Sequence, residues 1–95
     1  MGWFDRKKSN KGGKHMTRDE VEAKVRNIVI DTLDVPKEKV VDSAMFDIDL
    51  GADTLDRVEL ILNCEESLGV TISEEEDESL TTFGKLVDCI AQKLA

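Results

Sequence analysis

The sequence of 95 residues contains no apolar run longer than three residues, and it has a single histidine and two cysteines. A membrane-spanning helix needs about 20 apolar residues in succession, so the sequence predicts no membrane span. No apolar stretch follows the basic N-terminal residues, so we do not expect a secretory signal. The chain length predicts one small domain, near the size at which a single hydrophobic core is only marginally sufficient.

The scarcity of cysteine and histidine limits the chemistry of the chain. Cys64 and Cys89 are too few for a disulfide framework, and His15 has no partner at a zinc-binding spacing. We interpret both cysteines as small hydrophobic residues in a reducing compartment. Beyond residue 16 there is no histidine to act as a base and no nucleophile beside an orienting group. The sequence therefore predicts a chain that is not an enzyme.

Charge is distributed unevenly along the chain. Residues 1–16 contain five basic side chains and one acidic one, a net charge of +4, so the remainder carries −12. A domain this acidic repels nucleic acid and attracts basic protein surfaces. The composition of residues 1–16 predicts a disordered N-terminal extension. This extension is either a native arm or a set of residues left by cloning, with Met16 as the natural start. The domain itself is predicted to span residues 17–95.

Helical periodicity predicts four helices. The tetrapeptide TRDE at residues 17–20 has the pattern of a capping box and opens a first helix, which ends before Pro36. A second helix is predicted over residues 53–68, a short acidic third helix begins near Ser73, and a last helix begins near Thr82. Three longer helices and one short helix predict an all-α four-helix bundle with a long first loop.

The second helix has apolar residues on two faces, at about 100° per residue. One set gathers on the side expected to face the core: Leu60, Ile61, Cys64 and Leu68. A second set gathers on nearly the opposite side: Leu55, Val58 and Leu62. Carboxylates are interleaved with this second set: Asp56, Glu59, Glu65 and Glu66. Isolated exposed hydrophobic residues are ordinary, but an apolar row ringed by carboxylates favours a docking face for a basic partner.

The segment DLGADTLD at residues 49–56 leads into this helix and places Thr54 between two carboxylates. One interpretation is that Asp53 or Thr54 caps the helix, a role that both residue types fill well. The other is an exposed hydroxyl whose phosphoester meets the positive end of the helix dipole, an effect worth about 0.3–1 kcal/mol. Because Asp53 and Asp56 oppose an anion, the charges permit a phosphoester here without requiring one.

The same region has a weak likeness to a calcium-binding loop that begins at Asp47. Its fifth position is Gly51 instead of an acidic residue, and its sixth position is Ala52 instead of glycine. The twelfth position, which needs a glutamate, is Val58. The register therefore fails, and we predict no specific metal site.

Three segments closely resemble the acyl carrier proteins of fatty acid synthesis: SAMFDIDLGA, DLGADTLDRVEL and VTISEEEDESLTTFGKLVDCI. The resemblance runs from about Thr17 to the C-terminus. In that family a four-helix bundle carries acyl chains as thioesters on a 4′-phosphopantetheine arm, which a transferase attaches from coenzyme A to a serine. The resemblance implies that the attachment residue here is Thr54. Its flanking motif residues are Gly51, Asp53 and Leu55.

The resemblance also implies two sets of binding residues. Those implied to meet the basic surfaces of the phosphopantetheinyl transferase and of acyl-processing enzymes are Asp53, Leu55, Asp56, Val58, Glu59, Leu62, Glu65 and Glu66. Those implied to line a pocket that parts for the acyl chain are Phe46, Leu60, Cys64, Ile72, Leu80 and Leu86. We expect a cytoplasmic monomer. The acyl pathway it serves stays open among fatty acid, polyketide, lipid A and other pathways.

Threonine departs from the family pattern at the attachment position. Its extra methyl group makes the hydroxyl a secondary alcohol with fewer χ1 options, and misplacement of a reacting group by about 1 Å can cost 10²-fold in rate. Three explanations stay open: slow modification or a tolerant transferase, an unmodified carrier-like adaptor that docks basic partners through the acidic second helix, and replacement of an original serine. We expect the isolated chain to lack the arm.

Overall fold

A computed structural model describes residues 16–95, so the prediction made for residues 1–15 lies outside the described part of the chain. A 3₁₀ turn, Lys37–Lys39, lies within the long first connection. The described residues form four α-helices: α1 (Arg18–Leu33), α2 (Thr54–Leu68), α3 (Glu74–Ser79) and α4 (Phe83–Leu94). The predicted all-α four-helix bundle is confirmed. No helix in this part of the chain is long and apolar enough to cross a membrane.

Each helix begins at a side-chain cap. Thr17, Asp53 and Ser73 each form a capping box with the third residue of the helix that follows. Thr82 accepts a hydrogen bond from the backbone N–H of the third residue of α4. Such caps satisfy N–H groups that have no partner inside the helix and are worth about 1 kcal/mol each. Gly69 ends α2 at a φ of 67°, where glycine carries no steric penalty.

The core forms where α1 packs against α2 and α4. α1 contributes Val21, Val25 and Val29, and α2 contributes Leu60 and Cys64. α4 contributes half of its residues: Phe83, Gly84, Leu86, Val87, Ile90 and Leu94. Because burial of one large apolar side chain is worth about 1.5–3 kcal/mol, these three helices form the stable body of the domain.

The long connection between α1 and α2 packs over this core. Its buried residues are Val40, Ala44, Phe46, Leu50 and Ala52. It is fixed to the start of α4 by three backbone hydrogen bonds: from Phe46 N to Thr81 O at 3.1 Å, from Phe83 N to Ala44 O at 3.0 Å and from Gly84 N to Asp42 O at 3.0 Å. These bonds surround an isolated antiparallel bridge between Met45 and Thr82. The connection therefore holds the entry to α2 in a fixed position.

α3 is held by its flanks and by polar contacts. None of its own six residues is buried, whereas Ile72 before it and Leu80 after it are 8% and 5% exposed. On the α4 side, the Nζ of Lys93 lies 2.9 Å from the Oε2 of Glu76. The backbone N–H of Ser73 and the ammonium of Lys93 hold the pKa of Glu76 below its ordinary value. α3 is thus the one described helix with no buried side chain of its own.

Gly84, in the first turn of α4, lies against the backbone of Asp42. Its N–H donates to Asp42 O at 3.0 Å, and a Cβ added at Gly84 would lie only 2.9 Å from the same oxygen. We expect Gly84→Ala to lower the free energy of unfolding by about 1–3 kcal/mol, because the connection must move to admit the methyl group. Urea denaturation followed by circular dichroism measures the change. Alanine has the higher helix propensity, so unchanged or increased stability would contradict this close contact.

Candidate functional site

Thr54 is the first residue of α2, and its side chain is exposed. The cap of the helix is Asp53, whose Oδ1 accepts a hydrogen bond from Asp56 N at 2.8 Å. The Oδ2 of Asp56 in turn accepts from Asp53 N at 3.1 Å. The two carboxylates therefore complete the cap between them, and the cap makes no use of the Thr54 hydroxyl.

The backbone before Thr54 is anchored on one side and open on the other. Ala52 is buried, and its N–H donates to Phe46 O at 2.8 Å. Gly51 has a φ of 70°, and a Cβ added there would meet no other described atom within 4 Å. This geometry places Thr54 at an accessible edge of a fixed turn.

A phosphoester is chemically compatible with this position. Unpaired N–H groups and the aligned peptide dipoles make the N-terminus of a helix partly positive, which stabilises an anion by about 0.3–1 kcal/mol. The carboxylates of Asp53 and Asp56 reduce that effect. The exposed hydroxyl, the open space at Gly51 and the helix N-terminus together fit an attached phosphate.

The two apolar rows of α2 lie in different environments. Leu60 and Cys64 are 1% and 0% exposed, whereas Leu55, Val58 and Leu62 are 78%, 53% and 51% exposed. Burial raises the pKa of the Cys64 thiol to about 12. We call the exposed side the α2 outer face, formed by Leu55, Val58 and Leu62 with the carboxylates Asp53, Asp56, Glu59 and Glu66.

Glu65 differs from the other carboxylates predicted to meet a partner. It is half-buried, and its Oε2 accepts a hydrogen bond from Ile72 N at 2.8 Å. It thereby holds the turn between α2 and α3, whereas Glu59 and Glu66 are exposed. Because its carboxylate is engaged in this internal bond, we leave Glu65 out of the α2 outer face. The helical spacing of Glu65 in the sequence gives no sign of the bond.

The six residues that the resemblance associates with an acyl pocket all lie in the core, each at most 8% exposed: Phe46, Leu60, Cys64, Ile72, Leu80 and Leu86. Two of them, Ile72 and Leu80, lie at the two ends of α3. The set therefore joins the connection, α2, α4 and the flanks of α3 in one apolar cluster.

Arg57 joins three parts of the structure, and sequence analysis did not predict this role. Its Nη2 donates to Asp77 O, Asp77 Oδ1 and Leu80 O at 3.0, 2.8 and 3.2 Å. Its Cζ lies 5.6 Å from the centroid of the Phe46 ring, within the range of a cation–π contact. The sequence signal was a lone cation on the core-facing side of an acidic helix, where it needs partners inside the structure.

The carboxylates of the segment before α2 fold the loop. The Oδ2 of Asp49 accepts from Met45 N at 2.8 Å, and the Oδ1 of Asp47 accepts from Ile48 N at 2.7 Å. Within residues 16–95, no group of three or more acidic, cysteine or histidine side chains is arranged to hold a metal ion.

Comparison with known proteins identifies the family. The family model described as "Phosphopantetheine attachment site" matches residues 23–90. The acyl carrier protein of Thermosynechococcus vestitus is 49% identical over 80 residues, which cover 84% of this chain and 99% of that protein. The chain belongs to the acyl carrier protein family. The acyl carrier protein of Petrotoga mobilis is 42% identical over 79 residues, covering 83% of this chain and 93% of that protein.

A solved acyl carrier protein structure has the same fold. The protein from Enterococcus faecalis matches with a TM-score of 0.69 and 36% sequence identity, covering 81% of this chain and 98% of that chain. The resemblance inferred from the sequence motifs is thus confirmed. Acyl carrier proteins are carriers and not enzymes, as predicted, and the group that belongs to the family is 4′-phosphopantetheine. The exposed start of α2 fits such a group.

Proposed function

We propose that this acyl carrier protein holds acyl intermediates of fatty acid or related biosynthesis as thioesters on a 4′-phosphopantetheine arm attached to Thr54. Residues 17–95 form the carrier domain, which acts as a monomer in the cytoplasm. One observation carries the proposal: Thr54 is exposed at the start of α2 while Asp53 and Asp56 complete the cap. This geometry favours attachment over the unmodified chain expected from the threonine methyl group alone.

The residues of the chain supply position and access for the attachment. The Thr54 hydroxyl oxygen attacks the phosphorus on the pantetheine side of the coenzyme A pyrophosphate, and its proton passes to a base of the transferase. The P–O bond to the nucleotide breaks, adenosine 3′,5′-bisphosphate leaves and a phosphodiester forms, so the oxygen must lie in line with the bond that breaks. The anchored N–H of Ala52 fixes the turn, and the open side of Gly51 leaves room for a transferase. The arm, when bound, supplies the thiol that holds the acyl group.

The α2 outer face is proposed to dock basic surfaces of the transferase and of acyl-processing enzymes. Leu55, Val58 and Leu62 offer apolar contact at its centre, where interface energy concentrates. The surrounding carboxylates speed the encounter with a basic partner and repel acidic ones. The net charge of −8 for the whole chain is consistent with a partner that is a protein and not a nucleic acid.

The apolar cluster next to α3 is proposed to receive the acyl chain. Its members are Phe46, Leu60, Cys64, Ile72, Leu80 and Leu86, all buried in the described structure. An acyl chain that enters must part them, and α3 is the adjoining helix with no buried residue of its own. Each methylene group removed from water contributes about 0.8 kcal/mol toward that rearrangement.

The attachment is tested by intact-mass measurement. After prolonged incubation with coenzyme A and a phosphopantetheinyl transferase of broad specificity, we expect the chain to gain the mass of one phosphopantetheinyl group. Peptide fragmentation should locate the added mass on Thr54, because its hydroxyl is exposed and is not used in the cap. The Thr54→Ala chain should gain no mass, and an adduct on that variant would show that another residue is modified.

An unmodified adaptor is the second candidate function. The observation that favours it is the α2 outer face, whose apolar residues and carboxylates need no arm to bind a basic partner. If the chain is an adaptor, the Thr54→Ala variant should bind the partner as tightly as the parent chain does. The parent chain should also stay unmodified in the mass experiment. Loss of every function in Thr54→Ala would eliminate the adaptor.

A further inference from the structure

Arg57 follows Thr54 by three residues, and its guanidinium contacts two members of the apolar cluster, Phe46 and Leu80. Residues three apart in a helix are surface neighbours, with Cβ atoms about 5–6 Å apart, so Arg57 lies beside Thr54 on α2. From there its side chain reaches the C-terminal end of α3 at Asp77 and Leu80, and it covers the ring of Phe46. We call these contacts the Arg57 clasp.

The Arg57 clasp holds the C-terminal end of α3 against α2. Because α3 buries no side chain of its own, its position depends on its flanks, on the Lys93–Glu76 contact toward α4 and on the Arg57 clasp toward α2. The arm is proposed to be attached at Thr54, three residues before Arg57, so its thiol carries an acyl chain past this side of α2. To enter the cluster between Phe46 and Leu80, the acyl chain must displace the guanidinium that contacts both residues.

We propose that Arg57 determines the length of acyl chain that the apolar cluster next to α3 accepts. This inference rests on the proposed function, since it concerns a chain carried from Thr54. Opening the clasp costs the same free energy for every acyl chain, whereas the gain from burial grows with each methylene group. Short chains therefore stay outside while longer chains enter, and the strength of the clasp sets the length at which the change occurs.

The chain offers a matched control in Arg26. Its Cζ lies 5.1 Å from the centroid of Phe83, its Nε donates to Val40 O at 3.1 Å, and its Nη2 donates to Glu22 at 2.7 Å. It thus has an aromatic ring, a backbone carbonyl and a carboxylate as partners, as Arg57 has. Its contacts join α1, the connection and α4 but not α3. Arg57→Gln and Arg26→Gln therefore remove similar contacts at different places.

The first measurement uses the unmodified chain and amide hydrogen exchange. The N–H of Leu80 donates to Asp77 O at the end of α3, so its exchange reports the opening of that end. In Arg57→Gln we expect exchange at residues 77–80 to accelerate about tenfold, which is the effect of losing charge-assisted hydrogen bonds. Arg26→Gln should leave these amides unchanged. Equal exchange in Arg57→Gln and the parent chain would overturn the clasp.

The second measurement uses chains loaded with saturated acyl groups from butyryl to hexadecanoyl, each labelled with ¹³C at its terminal methyl. Thr54→Ser serves as the loaded background for every variant. The methyl chemical shift reports whether the acyl chain lies inside the apolar cluster. Variants are compared by their half-occupancy length, which is the acyl length at which half of the acyl chains lie inside. We expect Arg57→Gln to shorten that length by about two methylene groups, Arg57→Lys to restore part of the difference, and Arg26→Gln to have no effect.

The outcomes separate this inference from the proposed function. A loaded chain whose half-occupancy length is the same in Arg57→Gln and in its parent would overturn the role of Arg57 and leave the carrier function intact. An equal shift in Arg26→Gln would also overturn it, because general destabilisation would then explain the change. If neither the parent chain nor Thr54→Ser accepts the acyl-bearing arm, the carrier function is overturned, and this inference with it.

Discussion

Replacing Thr54 by serine is expected to raise the rate of phosphopantetheine transfer from coenzyme A about 10²-fold. Serine keeps the hydroxyl at the same place and removes the methyl group that restricts χ1 and crowds the attacking oxygen. An alignment error of about 1 Å is enough for an effect of this size. Because residue 54 is exposed, we expect the free energy of unfolding to change by no more than about 0.5 kcal/mol.

The measurement is a time course of intact mass with excess transferase, so that the rate reports transfer and not encounter. Thr71→Ser is the matched control, since Thr71 is exposed in the turn between α2 and α3 and lies outside the attachment motif. It should leave the transfer rate unchanged. Equal rates for Thr54→Ser and the parent chain would show that the methyl group is no obstacle. If Thr54→Ser gains the adduct and the parent chain does not, the result would favour the adaptor function for the parent sequence.

Replacing Val58 by aspartate is expected to weaken binding of the transferase about 30-fold. Val58 lies at the centre of the α2 outer face, where loss of an apolar contact costs about 2 kcal/mol or more, and a carboxylate at this place must lose its water shell when the partner covers it. Because the side chain is 53% exposed in the free chain, the fold should tolerate the change. Calorimetric titration with the transferase measures the dissociation constant.

Val41→Asp is the matched control for this experiment. Val41 is also a valine, it is 47% exposed, and it lies in the connection between α1 and α2. The substitution adds the same charge to the chain, so it measures the effect of net charge alone. If both variants weaken binding equally, charge explains the result and the α2 outer face is not the docking surface.

The helix boundaries and the two faces of α2 could be predicted from the sequence because they depend on local rules. A capping box needs only residues three apart, and the helical period alone separates Leu60 and Cys64 from Leu55, Val58 and Leu62. The choice between Asp53 and Thr54 as the cap also follows such a rule. With Asp53 as cap, Asp56 is the third helical residue and returns a hydrogen bond. With Thr54 as cap, that residue would be Arg57, whose guanidinium cannot accept one.

The bonds that the sequence did not predict join distant residues. Arg57 reaches Asp77, twenty residues further on, and Met45 pairs with Thr82 across two intervening helices. Glu65 binds the backbone of Ile72 on the far side of a turn. Each depends on how separate segments pack together, which is set by the whole core and not by any local pattern. The helix boundaries were therefore easier to predict than the contacts of Arg57 and Glu65.

The two cysteine thiols of the chain have a further consequence for the proposed carriage of acyl thioesters. Burial raises the pKa of Cys64 to about 12, and burial together with the charge of Glu76 raises the pKa of Cys89. Transthioesterification proceeds through the thiolate, which both side chains scarcely form at neutral pH. We therefore expect no transfer of an acyl group from the proposed arm to Cys64 or Cys89. Release of the acyl group is left to the enzyme that receives it.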